Sequence, residues 1–163
     1  MSSNALENAM KVVMDSDVLI KFTKTGCKEA IVRLLEVSIP ERVYEETVIE
    51  SKGCLDGNKI QENIDNGMIQ VQGLPSRDKG ELEALKLYKS GGFELIASDD
   101  RKFLNSLDRN GIPYLTSSSM VVYLLYNNKI SLEDTIKYID NLKMYISQRQ
   151  YLTAMMEVLK WVK

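Results

Sequence analysis

"GELEALKLYKSGGFELIASDDRKF", Gly80 to Phe103, changes its period twice within one short stretch. Leu82, Leu85 and Leu87 follow a helical spacing up to Ser90, and Gly91 stands where a helix should stop. "ELIAS", Glu94 to Ser98, is a compact apolar run that reads as a strand. Asp99 and Asp100 follow at once, and helical spacing resumes from Arg101 to Asn110. A helix, a strand, acids at the strand's end and another helix form the repeating unit of a parallel sheet covered on both faces.

The same alternation runs outward in both directions. "KVVMD" (Lys11 to Asp15), "EVSIP" (Glu36 to Pro40), "MIQVQ" (Met68 to Gln72) and "IPYLT" (Ile112 to Thr116) supply four more strands. Lys28 to Leu35, Pro40 to Ser51, Lys59 to Asn66 and Lys79 to Ser90 are expected helices, with Pro40 suited to a first helical position. Gly26, Gly67 and Gly111 fall at helix ends, as Gly91 does. The pattern predicts an α/β fold of three layers with a central five-stranded parallel sheet and a helical C-terminal extension. Residues 1–10 are expected to form a loose arm, 11–145 one domain, and 146–163 an amphipathic helix. Ser131 followed by Asp134 marks the start of a helix, and Tyr151, Leu152, Met155, Met156, Leu159 and Val162 are expected to form one apolar stripe that packs on the domain or on a partner.

Composition narrows the function. The 163 residues carry a net charge of -2, without the basic surplus that holds nucleic acid by phosphate neutralisation alone. Cys27 and Cys54 are too few and too isolated for a disulfide framework or a zinc site. No run of apolar residues is long enough to span a membrane and no leader pattern is present, so the expected location is the cytoplasm. The chain contains 0 histidines. Histidine bases, histidine-activated nucleophiles and histidine metal ligands are therefore excluded together, leaving carboxylates, hydroxyls, lysines or a metal for any chemistry.

In an open parallel sheet the carboxyl ends of the strands share one edge, where ligands bind. Asp15 and Asp17 lie at the end of the first strand, Asp99 and Asp100 at the end of the fourth, and Thr116, Ser117 and their serine neighbours at the end of the fifth. Each is equally what a helix start requires as a cap, but together they place acids and hydroxyls from three strand ends on one edge. Glu45 and Glu46, and then Glu81 and Glu83, begin the adjoining helices; one of the first pair is expected to face inward, and Glu83 to serve only the helix dipole. Crowded carboxylates repel one another, and a hard divalent cation such as Mg²⁺ or Mn²⁺ relieves that repulsion. Lys21, Lys24, Lys28, Arg101 and Lys102 are candidates to flank the acids and guide phosphates.

These motifs in this order resemble the PIN-domain family, and its VapC-like prokaryotic branch in particular. "VVMDSDVLI", "IPERVYEE", the opening stretch and "GIPYLTSSSMVVYLLYNNKIS" carry the resemblance, which spans Lys11 to Leu142. It implies a ribonuclease that cleaves RNA phosphodiester bonds with Mg²⁺ or Mn²⁺ through a metal-activated water. The catalytic acids that it implies are Asp15, Glu46, Glu81 and Asp100, with Asp15, Glu81, Asp99 and Asp100 as metal ligands and Asp17, Thr116 and Ser117 as an outer shell. For toxin members it further implies an antitoxin protein and a homodimer. Asp17 stands where many members have a hydroxyl or amide, and Glu81 where the toxin branch has aspartate. Two rivals stay open at this point. "DSDVL" resembles the opening motif of haloacid-dehalogenase phosphatases, with Asp15 as nucleophile and Asp17 as acid, and a PIN scaffold without catalysis would bind RNA or protein.

Overall fold

The computed structural model describes residues 9–50, 54–73 and 79–163; of the expected N-terminal arm, residues 1–8 lie outside the described part. Five strands, β1 (Lys11–Met14), β2 (Glu36–Pro40), β3 (Ile69–Gln72), β4 (Leu95–Ala97) and β5 (Tyr114–Leu115), form one sheet in the order β3-β2-β1-β4-β5. Every pairing is parallel, and Val12 of β1 is in register with Val37 of β2 and Leu95 of β4.

Alternation along β1 builds the layers. Val12 and Met14 point into the larger core with Val18 and Phe22 of α1 (Ser16–Thr25), Ile31 of α2 (Lys28–Leu34) and Ile60 of α4 (Leu55–Asp65). Residues of α7 (Ser117–Tyr126), α8 (Leu132–Leu142) and α9 (Gln148–Val162) join the same cluster. Val13 faces the opposite way, into a smaller core with Ala84 and Leu87 of α5 (Gly80–Lys89) and Phe103, Leu104 and Leu107 of α6 (Arg101–Arg109). This is the three-layer α/β/α architecture predicted from the alternation, and no helix among the described residues is long and apolar enough to cross a membrane.

Three elements differ from the sequence reading. Helix α1 was not anticipated, because after Asp15, Ser16 and Asp17 the short apolar run Val18 to Ile20 is too brief to show a helical period. The helix expected from Pro40 to Ser51 is present over Glu41–Ile49, with Ser51 outside the described residues, but only α3 (Glu41–Tyr44) is α-helical. Glu45–Ile49 form a π-helical turn, closed by the Glu50 N–H donating to the Glu45 carbonyl at 2.8 Å. The C-terminal stripe is split. Ala154 and Val158 are buried with Tyr151 and Met155 packed beside them, whereas Leu152, Met156, Leu159 and Val162 are 50–60% exposed. Ser131 does cap α8, but the complete reciprocal cap lies at Ser147 and Gln150, where the side chain and backbone of each satisfy the other.

Candidate active site

The strand order reverses between β1 and β4, and there the carboxyl edge opens into a cleft of about 610 Å³. Asp15, Asp17, Glu46, Glu81, Asp99 and Asp100 line it, with Arg42, Lys79 and Arg101 among them.

Two of these acids are helix caps, and capping is what aims them. Asp15 is the N-cap of α1, its Oδ1 accepting from the Val18 N–H at 3.0 Å, and its own N–H extends the β1–β4 ladder to the Ala97 carbonyl at 3.1 Å. Asp100 caps α6 in the same way, with Oδ1 accepting from the Phe103 N–H at 2.8 Å. The cap engages one oxygen of each carboxylate, so the second can serve the cleft. Asp15 is only 6% exposed, and its carboxyl is pushed up to about 7. Burial is the main cause, reinforced by the charges of Asp17 and Asp99 and opposed by the Ser98 hydroxyl and the Val18 N–H.

Glu81 enters from the first turn of α5 and meets Asp100. Burial raises its proton affinity first, then the Asp100 charge, a side-chain hydrogen bond with Asp100 and the Glu46 charge, all against Lys79. Glu46 stands on the π-helical turn. Its carboxylate lies 3.5 Å from where a Cβ on Gly80 would sit, an ordinary van der Waals separation that sets it beside the start of α5. Arg42 Nε is 3.1 Å from Glu46 Oε1. Glu45 turns instead to Arg42 Nη1 at 3.2 Å and is not part of the cleft lining, so the choice between the two glutamates falls on Glu46. Glu83 stands in the first turn of α5 as expected, but it is buried, with Oε1 lacking any hydrogen-bond partner and the Lys86 ammonium 3.9 Å away.

Asp99 is placed differently from the other acids. Its Oδ1 accepts from the Ser117 N–H at 2.8 Å, and its Oδ2 from the Ser117 hydroxyl at 2.7 Å and the Lys21 ammonium at 2.9 Å. Lys21 also reaches Asp17 at 2.9 Å; burial alone would depress its proton affinity, but the two carboxylates outweigh burial and hold it above the usual lysine value. Thr116 caps α7, its Oγ1 accepting from the Ser119 N–H, and is outside the lining.

Of the basic residues expected to flank the acids, Arg101 lines the cleft and Lys102 is exposed beside it. Lys21 is engaged as described. Lys24 is in the last turn of α1, roughly 12 Å along the helix from its Asp15 end at 1.5 Å per residue. Lys28 is buried, donating to the Lys59 carbonyl at 2.8 Å and to Asn63 Oδ1, and acts as a strut between α2 and α4 rather than a phosphate guide. Burial lowers its proton affinity. Arg42, Lys79 and Ser98 escaped the sequence reading. Ser98 follows β4 and directly precedes Asp99 and Asp100, and its buried hydroxyl accepts from the Asp100 N–H at 3.2 Å, so its position beside the acid pair was the available signal.

Residues 11–160 match the family model DUF3368, a PIN domain. The chain belongs to the PIN-domain family. No curated protein and no solved structure matches it. PIN domains are generally nucleases, and the acid-lined carboxyl edge is where a sheet of this order binds ligands. The matched range takes in most of α9 with the rest of the fold. Asp17, the general acid of the phosphatase alternative, lines the cleft with its side chain 59% exposed and paired with Lys21 at 2.9 Å.

Proposed function

We propose that this PIN domain is a Mg²⁺- or Mn²⁺-dependent endoribonuclease, hydrolysing RNA phosphodiester bonds at the cleft between β1 and β4. The observation that carries the reading is the meeting of Glu81 with Asp100 beside a buried Asp15 whose carboxyl sits near 7, with Glu46 resting against the start of α5. Proton affinities raised by mutual charge and burial belong to carboxylates gathered without their counter-ion. The donor set is all carboxylate oxygen, which suits a hard divalent cation. Among the described residues no three acids converge on a formed metal site, so Asp15, Glu81 and Asp100 reach a shared cation only by turning towards it within the cleft they line.

Asp15, Glu81 and Asp100 hold the cation in this reading, with Glu46 completing the acid set. Bound there, it supplies Lewis acidity towards water and phosphate. Lys79 and Arg101, at the starts of two helices that meet at the cleft, contact the RNA backbone. Asp99, with both oxygens already hydrogen-bonded, positions the loop that carries Asp100.

Calorimetric titration with Mn²⁺ tests the reading without knowledge of the RNA. Wild type is expected to bind, and Asp15→Asn and Glu81→Gln each to weaken binding by about tenfold or more. Loss in Asp15→Asn alone would return the argument to the phosphatase, and no binding by wild type would leave a scaffold without catalysis. The VapC-like reading adds self-association and an antitoxin protein. Leu152, Met156, Leu159 and Val162 present an apolar face that self-association would cover. Sedimentation velocity is expected to give a dimer, and Leu152→Glu with Leu159→Glu a monomer; a monomeric wild type would end that part of the reading.

A further inference from the structure

Arg42 stands in the cleft with its guanidinium committed to acids of its own helical segment. Nε lies 3.1 Å from Glu46 Oε1, while Nη1 lies 3.2 Å from Glu45 Oε2 and 3.6 Å from Glu50 Oε1. The side chain is 36% exposed, so the group faces both the acids and the solvent of the cleft. Its charge is permanent at any working pH. A guanidinium on one oxygen of Glu46 competes with a metal cation for that carboxylate, and its charge also repels the cation. The same planar fork is well suited to phosphate, which takes two parallel N–H donors.

We propose that Arg42 masks Glu46 until a substrate phosphate draws the guanidinium away, so that phosphodiester binding and divalent-cation binding reinforce each other. The inference rests on the nuclease reading and deepens it. Arg42 is a positioning residue that acts on the metal through Glu46. Linkage makes the effect reciprocal: whatever factor the phosphodiester adds to cation affinity, the cation adds to phosphodiester affinity. A residue that merely held Glu46 in place for ligation would have the opposite effect on cation affinity when removed, and this difference in sign makes the proposal testable.

The experiment titrates Mn²⁺ into wild type, Arg42→Gln and Arg42→Lys by calorimetry, with and without a saturating, uncleavable 2′-O-methyl oligoribonucleotide of mixed sequence. In wild type the oligonucleotide is expected to tighten Mn²⁺ binding about fivefold or more, the lower end of usual coupling between sites. Arg42→Gln alone is expected to bind Mn²⁺ several-fold more tightly than wild type, about as much as removing a nearby like charge allows, and to lose most of the tightening by the oligonucleotide. Arg42→Lys keeps the charge without the fork and should fall between them. Thermal unfolding of each variant accompanies the titrations, and Arg42→Lys carries the test if Arg42→Gln does not fold. Weaker Mn²⁺ binding in Arg42→Gln, or oligonucleotide tightening that survives the substitution, overturns the role of Arg42 while leaving the nuclease reading standing. Failure of wild type to bind Mn²⁺ in either condition removes the metal site itself, and the masking role with it.

Discussion

Asp15→Asn will make the metal-free protein more stable at pH 8, leave it nearly unchanged at pH 4, and abolish hydrolysis. The folded carboxyl titrates near 7 and the unfolded one at the model value of 3.8, so folding favours the protonated form. Below the unfolded value the group is neutral in both states and opposes nothing. As pH rises towards 7 the unfolded chain releases its proton first, the folded state is progressively disfavoured, and above 7 the penalty is complete. A shift of this size corresponds at most to about 4 kcal/mol, and relaxation around the charge brings the expected gain nearer ~2 kcal/mol, or roughly 4–8 °C in midpoint for a domain of this length. Asparagine retains an oxygen for the Val18 N–H, so the cap of α1 survives the exchange. Added Mn²⁺ should raise the wild-type midpoint and leave that of Asp15→Asn unmoved. Thermal unfolding at the two pH values decides it: equal midpoints at pH 8 would show that burial of Asp15 carries no strain for a cation to relieve.

That strain also explains which parts of the molecule the sequence discloses. Strands were legible because a sheet buried on both faces demands short apolar runs, and "EVSIP" coincides with β2 from end to end. The acids at strand ends were legible as positions, but their two possible meanings could not be separated. The structure explains why: Asp15 and Asp100 each cap a helix through Oδ1 and line the cleft as well. Helix α1 was hidden because its inner residues Val18 and Leu19, facing the same core as β1, stand adjacent in sequence and show no helical spacing of their own. The C-terminal stripe was drawn too wide, since helical spacing alone does not separate the Ala154 and Val158 side from the Leu152 and Met156 side. Glu46 and Glu45 were indistinguishable because the π-helical turn cannot be read from periodicity, and only the folded chain sets Glu46 in the cleft lining beside Gly80 and Glu45 outside it. Arg42 was overlooked for a related reason. Its significance comes from three acids on its own segment, and an arginine near glutamates on a helix reads as ordinary surface pairing.

The other large effect concerns a lysine that touches no substrate in this account. Lys21→Met will destabilise the fold by about 3 kcal/mol, lowering the unfolding midpoint by roughly 6–12 °C, because it strands a buried carboxylate. The Asp99 side chain is 2% exposed and that of Lys21 13%, so neither charge has much water to turn to. The two Ser117 donors still reach Asp99 when Lys21 is gone, which keeps the loss at the low end for a broken buried pair. Asp99→Asn in the Lys21→Met background should recover most of the stability, since a neutral amide needs no counter-charge and its oxygen still accepts from the Ser117 N–H. A surface pair would behave otherwise, with both single substitutions close to neutral and no recovery in the double variant. Metal affinity separates the structural role from the chemical one. Asp99 lies next to Asp100 and Lys21 ties it to α1, so losing the ammonium frees that side of the loop and lets Asp100 drift from Glu81 even with the Ser117 donors in place. Lys21→Met is therefore expected to weaken Mn²⁺ binding as well, and the recovered double variant to regain it. If the double variant recovers its midpoint but not its Mn²⁺ affinity, then the Asp99 carboxylate itself ligates the cation.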